Sequence, residues 1–201
     1  MPAMIRGDRV RLRRIERADL PRMAEWMNDP EVRESLANVY PFSLVHEEQW
    51  FEAILKLEPA AQPFAMEAKE RSGRSEWTLM GAVGFHGVDW RNRSAEAGIF
   101  IGRKDLWSRG YGTDALRALV RWGFEELNLN RVWLRVYADN ARAIRSYEKV
   151  GFRAEGRLRQ DRFHRGRYFD TVVMGLLREE LRAPGSPAGR ATRGAGRGRG
   201  R

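Results

Sequence analysis

The feature that most constrains the fold is an abrupt change of hydrophobic periodicity at Gly112. Three segments with the composition of strands precede it, namely PFAMEAKE, TLMGAVGFHGVDW and SAEAGIFI, and short polar turns separate them. Between Ala115 and Leu127 the apolar residues recur instead at the intervals of one helix face. Antiparallel strands followed by an amphipathic helix that can pack on their sheet predict a mixed α/β domain.

The flanking segments extend this pattern. VRLRRI and RVWLRVY predict two further strands, and residues 152–177 predict a terminal hairpin with HRG at its tip. Further helices are predicted after Asp19, after Ser43, and after Asp139 or Asn140, because these side chains can cap a helix N-terminus. Strand, helix, strand and helix therefore alternate in the middle of the chain.

Length and composition exclude several classes of protein. The 201 residues, 42% of them hydrophobic, suffice for one packed core, which we place in residues 1–182. The chain has no apolar run of membrane-spanning length and no signal peptide at its start, so we expect a cytoplasmic protein without a membrane partner. Cysteine is absent, and His46, His86 and His164 have no ligand-like spacing, so we expect no metal.

The net charge of +10 is concentrated at the C-terminus. Residues 183–201 contain no acidic residue, and this low-complexity segment predicts a disordered tail. It holds five arginines: Arg190, Arg193, Arg197, Arg199 and Arg201. Alternating Arg and Gly can make weak contacts with nucleic acid phosphates, and a merely solvated tail is the alternative. We treat it as an accessory segment.

The segment WSRGYGTDAL predicts an anion site at the start of the long helix. Gly110 and Gly112 leave the backbone bare there, and a helix N-terminus offers unpaired N–H groups to a phosphate. The string GYGTDA also matches a dinucleotide-binding fingerprint. That motif requires an acidic residue about 20 positions further on. Asp139 lies 27 residues after Gly112, and three strands precede the motif, so the nicotinamide alternative is disfavoured.

Three segments together resemble the GCN5-related N-acetyltransferase (GNAT) family. They are WSRGYGTDAL, NARAIRSYEKVGF and WMNDPEVRESL, and the last is similar to the RimJ/RimL-type branch. The resemblance covers about residues 8–177. It implies a central mixed, mostly antiparallel sheet of about six to seven strands with about four helices, and a V-shaped gap between the fourth and fifth strands. Acetyl-CoA would lie in that gap as cosubstrate.

The resemblance also implies where acetyl-CoA would be held. Its pyrophosphate would lie on the loop formed by Arg109, Gly110, Tyr111, Gly112 and Thr113. Its pantetheine amides would pair with the backbone of Ile99, Phe100 and Ile101, where one N–H would also stabilise the reaction's oxyanion. Asn140 and Arg142 open the next helix and are further candidates for contact with the cofactor. Trp107 replaces the Arg or Gln of the general family pattern, and we expect it to pack rather than to bind phosphate.

Amine acetylation needs a proton acceptor and a proton donor. Glu96, an acid on a largely apolar strand, is our candidate base, with a salt-bridged strand position as the alternative. His86 and Asp89 on the neighbouring strand are held in reserve. The resemblance assigns protonation of the leaving thiolate to Tyr147. Its spacing places it on the inward helix face shared by Ala143 and Ile144.

The sequence therefore predicts an N-acetyltransferase that uses direct transfer in a ternary complex. The acceptor would be a protein N-terminus, a polyamine or a small amine, bound between EVRESLANVYPFS and the hairpin tip near His164. Glu31, Glu34 and Tyr40 in that segment could attract a cationic amine, and merely solvated acids are the alternative. A homodimer is also considered. The competing class is a binding module that holds CoA without turnover, or an RNA-associated protein that acts through its tail.

Overall fold

The structure, a computed structural model, describes residues 4–37, 40–69 and 76–181. The predicted tail at 183–201 lies outside the described residues. The strands are β1 (Ile5–Arg6), β2 (Val10–Arg14), β3 (Phe64–Lys69), β4 (Trp77–Asp89), β5 (Ser94–Ile101), β6 (Arg131–Tyr137), β7 (Arg153–His164) and β8 (Arg167–Leu177). The helices are α1 (Leu20–Asn28), α2 (Pro30–Arg33), α3 (Leu44–Ile54), α4 (Tyr111–Glu125) and α5 (Ala141–Val150).

The eight strands form one sheet in the order β1-β2-β3-β4-β5-β6-β8-β7. Only β5 and β6 run parallel to each other, so the predicted mixed, mostly antiparallel sheet is confirmed. Within the described residues the sheet has one strand more than the expected six to seven, because the two residues of β1 are too few to show a periodicity. The one-turn helix α2, which the Asp29 side chain caps, likewise exceeds the expected four helices.

Side-chain caps mark the start of α3 and α5 but not of α1, where the predicted cap Asp19 makes no capping hydrogen bond. Ser43 accepts a hydrogen bond from the His46 N–H at the start of α3, as predicted. Asn140, one of the two predicted candidates, accepts one from the Ala143 N–H at the start of α5. Gly151, at φ 122°, ends α5. The sequence predicts that α4 continues to about residue 128, but it ends at Glu125, because Asn128 adopts a left-handed conformation at φ 55°.

Apolar clusters cover both faces of the sheet. Neighbouring residues of a strand point to opposite faces, so Met66 packs with Leu116 of α4 while Ala65 packs with Leu20 of α1. The larger cluster holds α4 and α5 against one face. The smaller cluster holds α1 and α3 against the other, as Trp26 and Phe51 show.

The sheet opens between its two parallel strands. Pairing of β5 with β6 is limited to Ser94, Ala95 and Glu96 against residues 131–133. Beyond Glu96 the two strands separate. This gap is the predicted splay: the fourth and fifth strands of the sequence pattern are β5 and β6 here, because β1 was not predicted. No helix among the described residues is long and apolar enough to cross a membrane.

Candidate functional site

A cleft of about 1080 Å³ begins at the opening between β5 and β6. Its walls come from the separated ends of these strands, the first turns of α4 and α5, and the hairpin of β7 and β8. Residues 35–37, after α2, and Trp50 of α3 close it on the opposite face of the sheet. The cleft is therefore accessible from both faces through the gap in the sheet.

The start of α4 presents bare backbone to this cleft. Gly110 occupies the N-cap at φ 84°, a conformation that suits glycine, and no side chain caps the helix. The N–H groups of Tyr111, Gly112 and Thr113 precede the first intrahelical donor and have no partner within α4. A Cβ on Gly112 would lie 2.9 Å from Ile101 Cδ1, so a larger residue there would displace that side chain. The unpartnered N–H groups of this turn suit an anion.

Buried polar contacts fix the same turn in place. The Asp114 carboxylate accepts hydrogen bonds from the N–H groups of Asp8, Arg9 and Val10, at 3.0, 2.8 and 3.1 Å. The Arg9 side chain donates in turn to the Arg109 carbonyl at 2.7 Å. The N-terminal strand region therefore positions the glycine turn.

The five residues predicted to hold the pyrophosphate, 109–113, divide into three groups. The backbone of Gly110, Gly112 and Thr113 faces the cleft, and the Thr113 hydroxyl lies 2.7 Å from the Ser146 hydroxyl of α5. The Tyr111 ring instead packs in the core, under the Arg9 guanidinium, so only its N–H can serve a ligand. The Arg109 side chain is exposed and is not part of the cleft wall.

Arg142, unlike Arg109, is a cation of the cleft wall. Its guanidinium stacks on the Trp107 ring at 3.9 Å and lines the cleft, and burial lowers its pKa. The Trp107 indole N–H donates to the Ile101 carbonyl at 2.8 Å, so Trp107 packs as predicted. Asn140 lines the cleft as well as capping α5.

The outer part of β5 offers its backbone edge. Ile99 and Ile101 pack toward the cluster of α4, and Phe100 packs toward the cluster of α1 and α3. All three line the cleft, and none pairs with β6. This edge can therefore pair with an extended ligand.

Glu96 lies where the strands begin to separate, and it is paired. Its carboxylate accepts from Arg135 Nε at 2.8 Å and from the second guanidinium nitrogen at 3.3 Å, and this contact raises the pKa of Arg135. His86 lies opposite Glu96 in register and also lines the cleft. Asp89 does not reach the cleft wall: it accepts from the Asn92 N–H in the turn after β4, at 2.8 Å.

Tyr147 lines the cleft from α5. Its ring packs with Ala143 and Ile144 against the larger apolar cluster, as the helical spacing predicts, and lies 6.2 Å from the Phe152 ring. Burial raises the pKa of the Tyr147 hydroxyl to about 12. The hydroxyl is therefore a proton donor, and not an anion, at neutral pH.

The predicted acceptor segment contains fewer unpaired acids than its sequence indicates. Glu31 pairs with Lys104, and Glu34 pairs with Arg165 at 2.9 Å. Tyr40 is exposed. His164, at the hairpin end, lines the cleft, and so does Asp161.

Residues 9–153 match the family model for the acetyltransferase (GNAT) domain. The chain belongs to the GNAT acetyltransferase family. This result confirms the predicted family and the predicted enzyme class, while the RimJ/RimL-type branch stays a prediction. Among the described residues no cluster of His, Asp and Glu side chains could hold a metal ion.

Relatives of this GNAT chain include N-acetyltransferases with and without known substrates. The uncharacterized N-acetyltransferase p20 of Bacillus licheniformis is 32% identical over 176 residues, which is 86% of this chain and 95% of the relative. The spermidine N(1)-acetyltransferase of Vibrio cholerae is 31% identical over 51% of this chain and 58% of its own length. A structure of the spermidine N-acetyltransferase of Vibrio cholerae, in complex with CoA and spermine, superposes with a TM-score of 0.77. It covers 87% of this chain and 98% of that one, at 25% identity.

Sequence reasoning missed several polar residues of the GNAT cleft, and three of them bear on the acceptor side. Arg135 and Arg162 line it, and so does Thr171, which is 2% exposed. In the sequence, Arg135 and Thr171 are ordinary members of apolar strands, and Arg162 is one of many arginines in β7. Only their placement beside the gap distinguishes them.

Proposed function

We propose that the protein transfers the acetyl group of acetyl-CoA to a primary amine by direct attack in a ternary complex. The observation that carries the proposal is the gap between β5 and β6, with the bare turn of α4 at its wide end and Tyr147 on its wall. Such a gap lets a cofactor and an acceptor meet from opposite faces of the sheet. The Vibrio cholerae relative, whose structure contains CoA, supports this proposal.

The residues present fit acetyl-CoA. The N–H groups of residues 111–113 would bind the pyrophosphate, and Arg142 would neutralise its charge. The open backbone edge at Ile99–Ile101 would pair with the pantetheine amides and supply the N–H for the oxyanion. When bound, acetyl-CoA supplies an activated thioester carbonyl.

Two side chains would move the protons. Glu96 would accept the proton from the acceptor nitrogen, directly or through a water, and Arg135 would hold its carboxylate in place. His86, opposite Glu96, is the reserve for this step. Tyr147 would donate its hydroxyl proton to the departing thiolate, because a donor with a pKa of about 12 stays protonated until that charge develops.

The absence of cysteine gives a sensitive test. A colorimetric thiol reagent reports only the CoA released from acetyl-CoA, so acceptors can be screened with almost no background. The panel contains spermidine, small amines, amino acids, and peptides that begin with Ala or Ser. Acceptor-dependent thiol release supports the proposal. Stabilisation by acetyl-CoA without transfer to any acceptor would instead indicate a binding module.

A further inference from the structure

Two buried polar atoms on the acceptor side of the cleft have no partner. Thr171 Oγ1 and His164 Nε2 are both inaccessible to solvent, and neither is hydrogen-bonded within the described residues. Both residues line the cleft. Because buried polar atoms in proteins are nearly always hydrogen-bonded, two such atoms at one cavity point to a ligand that satisfies them.

Arg162 adds a positive charge to the same place. Its guanidinium lies 3.7 Å above the Tyr137 ring and donates one hydrogen bond, of 2.6 Å, to the Glu34 carbonyl. No Asp or Glu of the described ranges forms an ion pair with it. Arg162 therefore keeps most of its donors, and its whole charge, for a partner outside the described chain.

The three side chains lie on one face of the sheet. Tyr137 of β6 lies opposite Thr171 of β8 in register, and directly opposed residues of antiparallel strands point to the same face. Arg162 stacks on Tyr137 from above. His164 follows Arg162 by two positions along β7, which places it on the same side of that strand.

Charge on this side favours an anionic group. Glu96 is neutralised by Arg135, and Glu34 by Arg165. Asp161 is exposed at the cleft, and its charge contributes to the raised pKa of Arg135. Arg162 therefore has no ion-pair partner among the described residues, and its charge suits an acidic group on the acceptor better than a polycation.

We infer that the acceptor amine also carries a carboxylate, which Arg162 binds together with the His164 Nε2–H and the Thr171 hydroxyl. The inference rests on the proposed function and narrows its acceptor class to amino carboxylates. Asp161 attracts the ammonium end of the acceptor, and Glu96 lies closer to the gap where the amine reacts. The acceptor class thus differs from that of the Vibrio cholerae relative, which is named for spermidine.

Matched pairs of acceptors test this inference. Amino acids with α-, β- and γ-amino groups are compared with their carboxamides and with spermidine, using thiol release on the full chain. We expect kcat/KM to be higher for the best carboxylate than for its amide by on the order of tenfold to a hundredfold, the value of a charged hydrogen bond. The carboxamide keeps the shape of each acceptor and removes only the charge.

Variants then locate the preference. Arg162→Ala is expected to raise KM for the carboxylate by a similar factor with little change in kcat, and to leave the amide unaffected. Thr171→Val keeps the buried volume and is expected to weaken the binding of the same carboxylate acceptor. Arg159→Ala, at an exposed arginine of β7 outside the cleft wall, is the matched control and should change neither.

The outcomes distinguish a failure of the inference from a failure of the proposed function. A preference for spermidine or for the amides would overturn the inference while the acetyltransferase proposal stands. An Arg162→Ala effect of equal size on the carboxylate and the amide would do the same. No transfer to any acceptor would overturn the proposed function, and the inference with it.

Discussion

Burial shifts the pKa of two groups on the cleft wall. Desolvation raises the pKa of the Tyr147 hydroxyl to about 12 and lowers the pKa of Arg142, whose guanidinium nonetheless stays charged at neutral pH. A neutral donor and a cation therefore lie on the same helix, five residues apart. The donor suits a developing thiolate, and the cation suits a phosphate.

Removal of the Tyr147 hydroxyl tests the acid role. Tyr147→Phe is expected to lower kcat by on the order of a hundredfold or more, the usual contribution of a general acid. The KM for acetyl-CoA should change little, because the ring that packs on Phe152 is kept. Steady-state kinetics measure both constants. Tyr168→Phe, at an exposed residue of β8, is the control, and an unchanged kcat in Tyr147→Phe would refute the assignment.

The raised pKa of Tyr147 also predicts a pH dependence of stability. Above about pH 10 the tyrosine ionises in the unfolded chain while it stays protonated in the folded one, so the free energy of unfolding falls as pH rises. This loss reaches about 2 kcal/mol by pH 12. Tyr147→Phe should lack this loss, so above pH 10 the free energy of unfolding of the variant should rise relative to that of the wild type. Urea unfolding of both proteins at pH 8 and at pH 11 measures this change. The same difference in free energy at both pH values would contradict the prediction.

Among the elements, the first turn of α4 combines two glycines with different roles. Gly110 needs its left-handed conformation, whereas Gly112 is helical and keeps a Cβ away from the cleft. Gly110→Ala should cost about 1–2 kcal/mol of stability, the strain of a left-handed alanine. Gly112→Ala should leave stability nearly unchanged and weaken CoA binding. Thermal unfolding and CoA titration separate the two effects, and equal affinity in Gly112→Ala and wild type would remove the glycine turn from the binding site.

Asp114 links α4 to the N-terminal strands. Asp114→Ala leaves three backbone N–H groups without their acceptor, so we expect a loss of about 2–4 kcal/mol in the free energy of unfolding. The KM for acetyl-CoA should rise as well, because the turn loses its support. Urea unfolding and steady-state kinetics give the two values. Glu126→Ala, at an exposed residue just beyond α4, is the control for loss of a carboxylate.

Local signals in the sequence account for most of the elements. Ser43, Asn140 and Gly151 act within a few residues of the helices that they cap or end, so these boundaries could be predicted. The end of α4 could not, because Asn128 adopts its left-handed conformation in response to packing of the following residues. The Leu129 side chain is fully buried there, and its N–H donates back to Gly123.

The site was less predictable because its groups meet across long sequence separations. Glu96 and Arg135 are 39 positions apart, and Arg162 reaches Glu34 across 128. Tyr147 and the glycine turn could be predicted because each belongs to a motif within one short segment of the chain. No local pattern identifies Thr171, whose role depends on the register of β8 against β6.

At the scale of the whole molecule, one sheet separates two tasks. The face covered by α4 and α5 holds the glycine turn, Arg142 and Tyr147. The opposite face, with α1, α3 and the hairpin, holds Glu96, Arg162 and the unpaired polar atoms. The gap between β5 and β6 joins the two, so under the proposed function a cofactor and an acceptor would reach it from different faces.

A shortened chain tests whether this domain is sufficient. The family match ends at residue 153, the last described strand at Leu177, and residues 183–201 hold five arginines and no acid. A chain that ends at Arg182 is expected to keep its melting temperature, kcat and KM, because every cleft residue named above precedes that position. Its salt-dependent retention on an RNA column should fall, since five of the ten net positive charges are removed. Loss of acetyl transfer would instead show that the tail takes part in the site, and equal retention on RNA would place the basic surface within the domain.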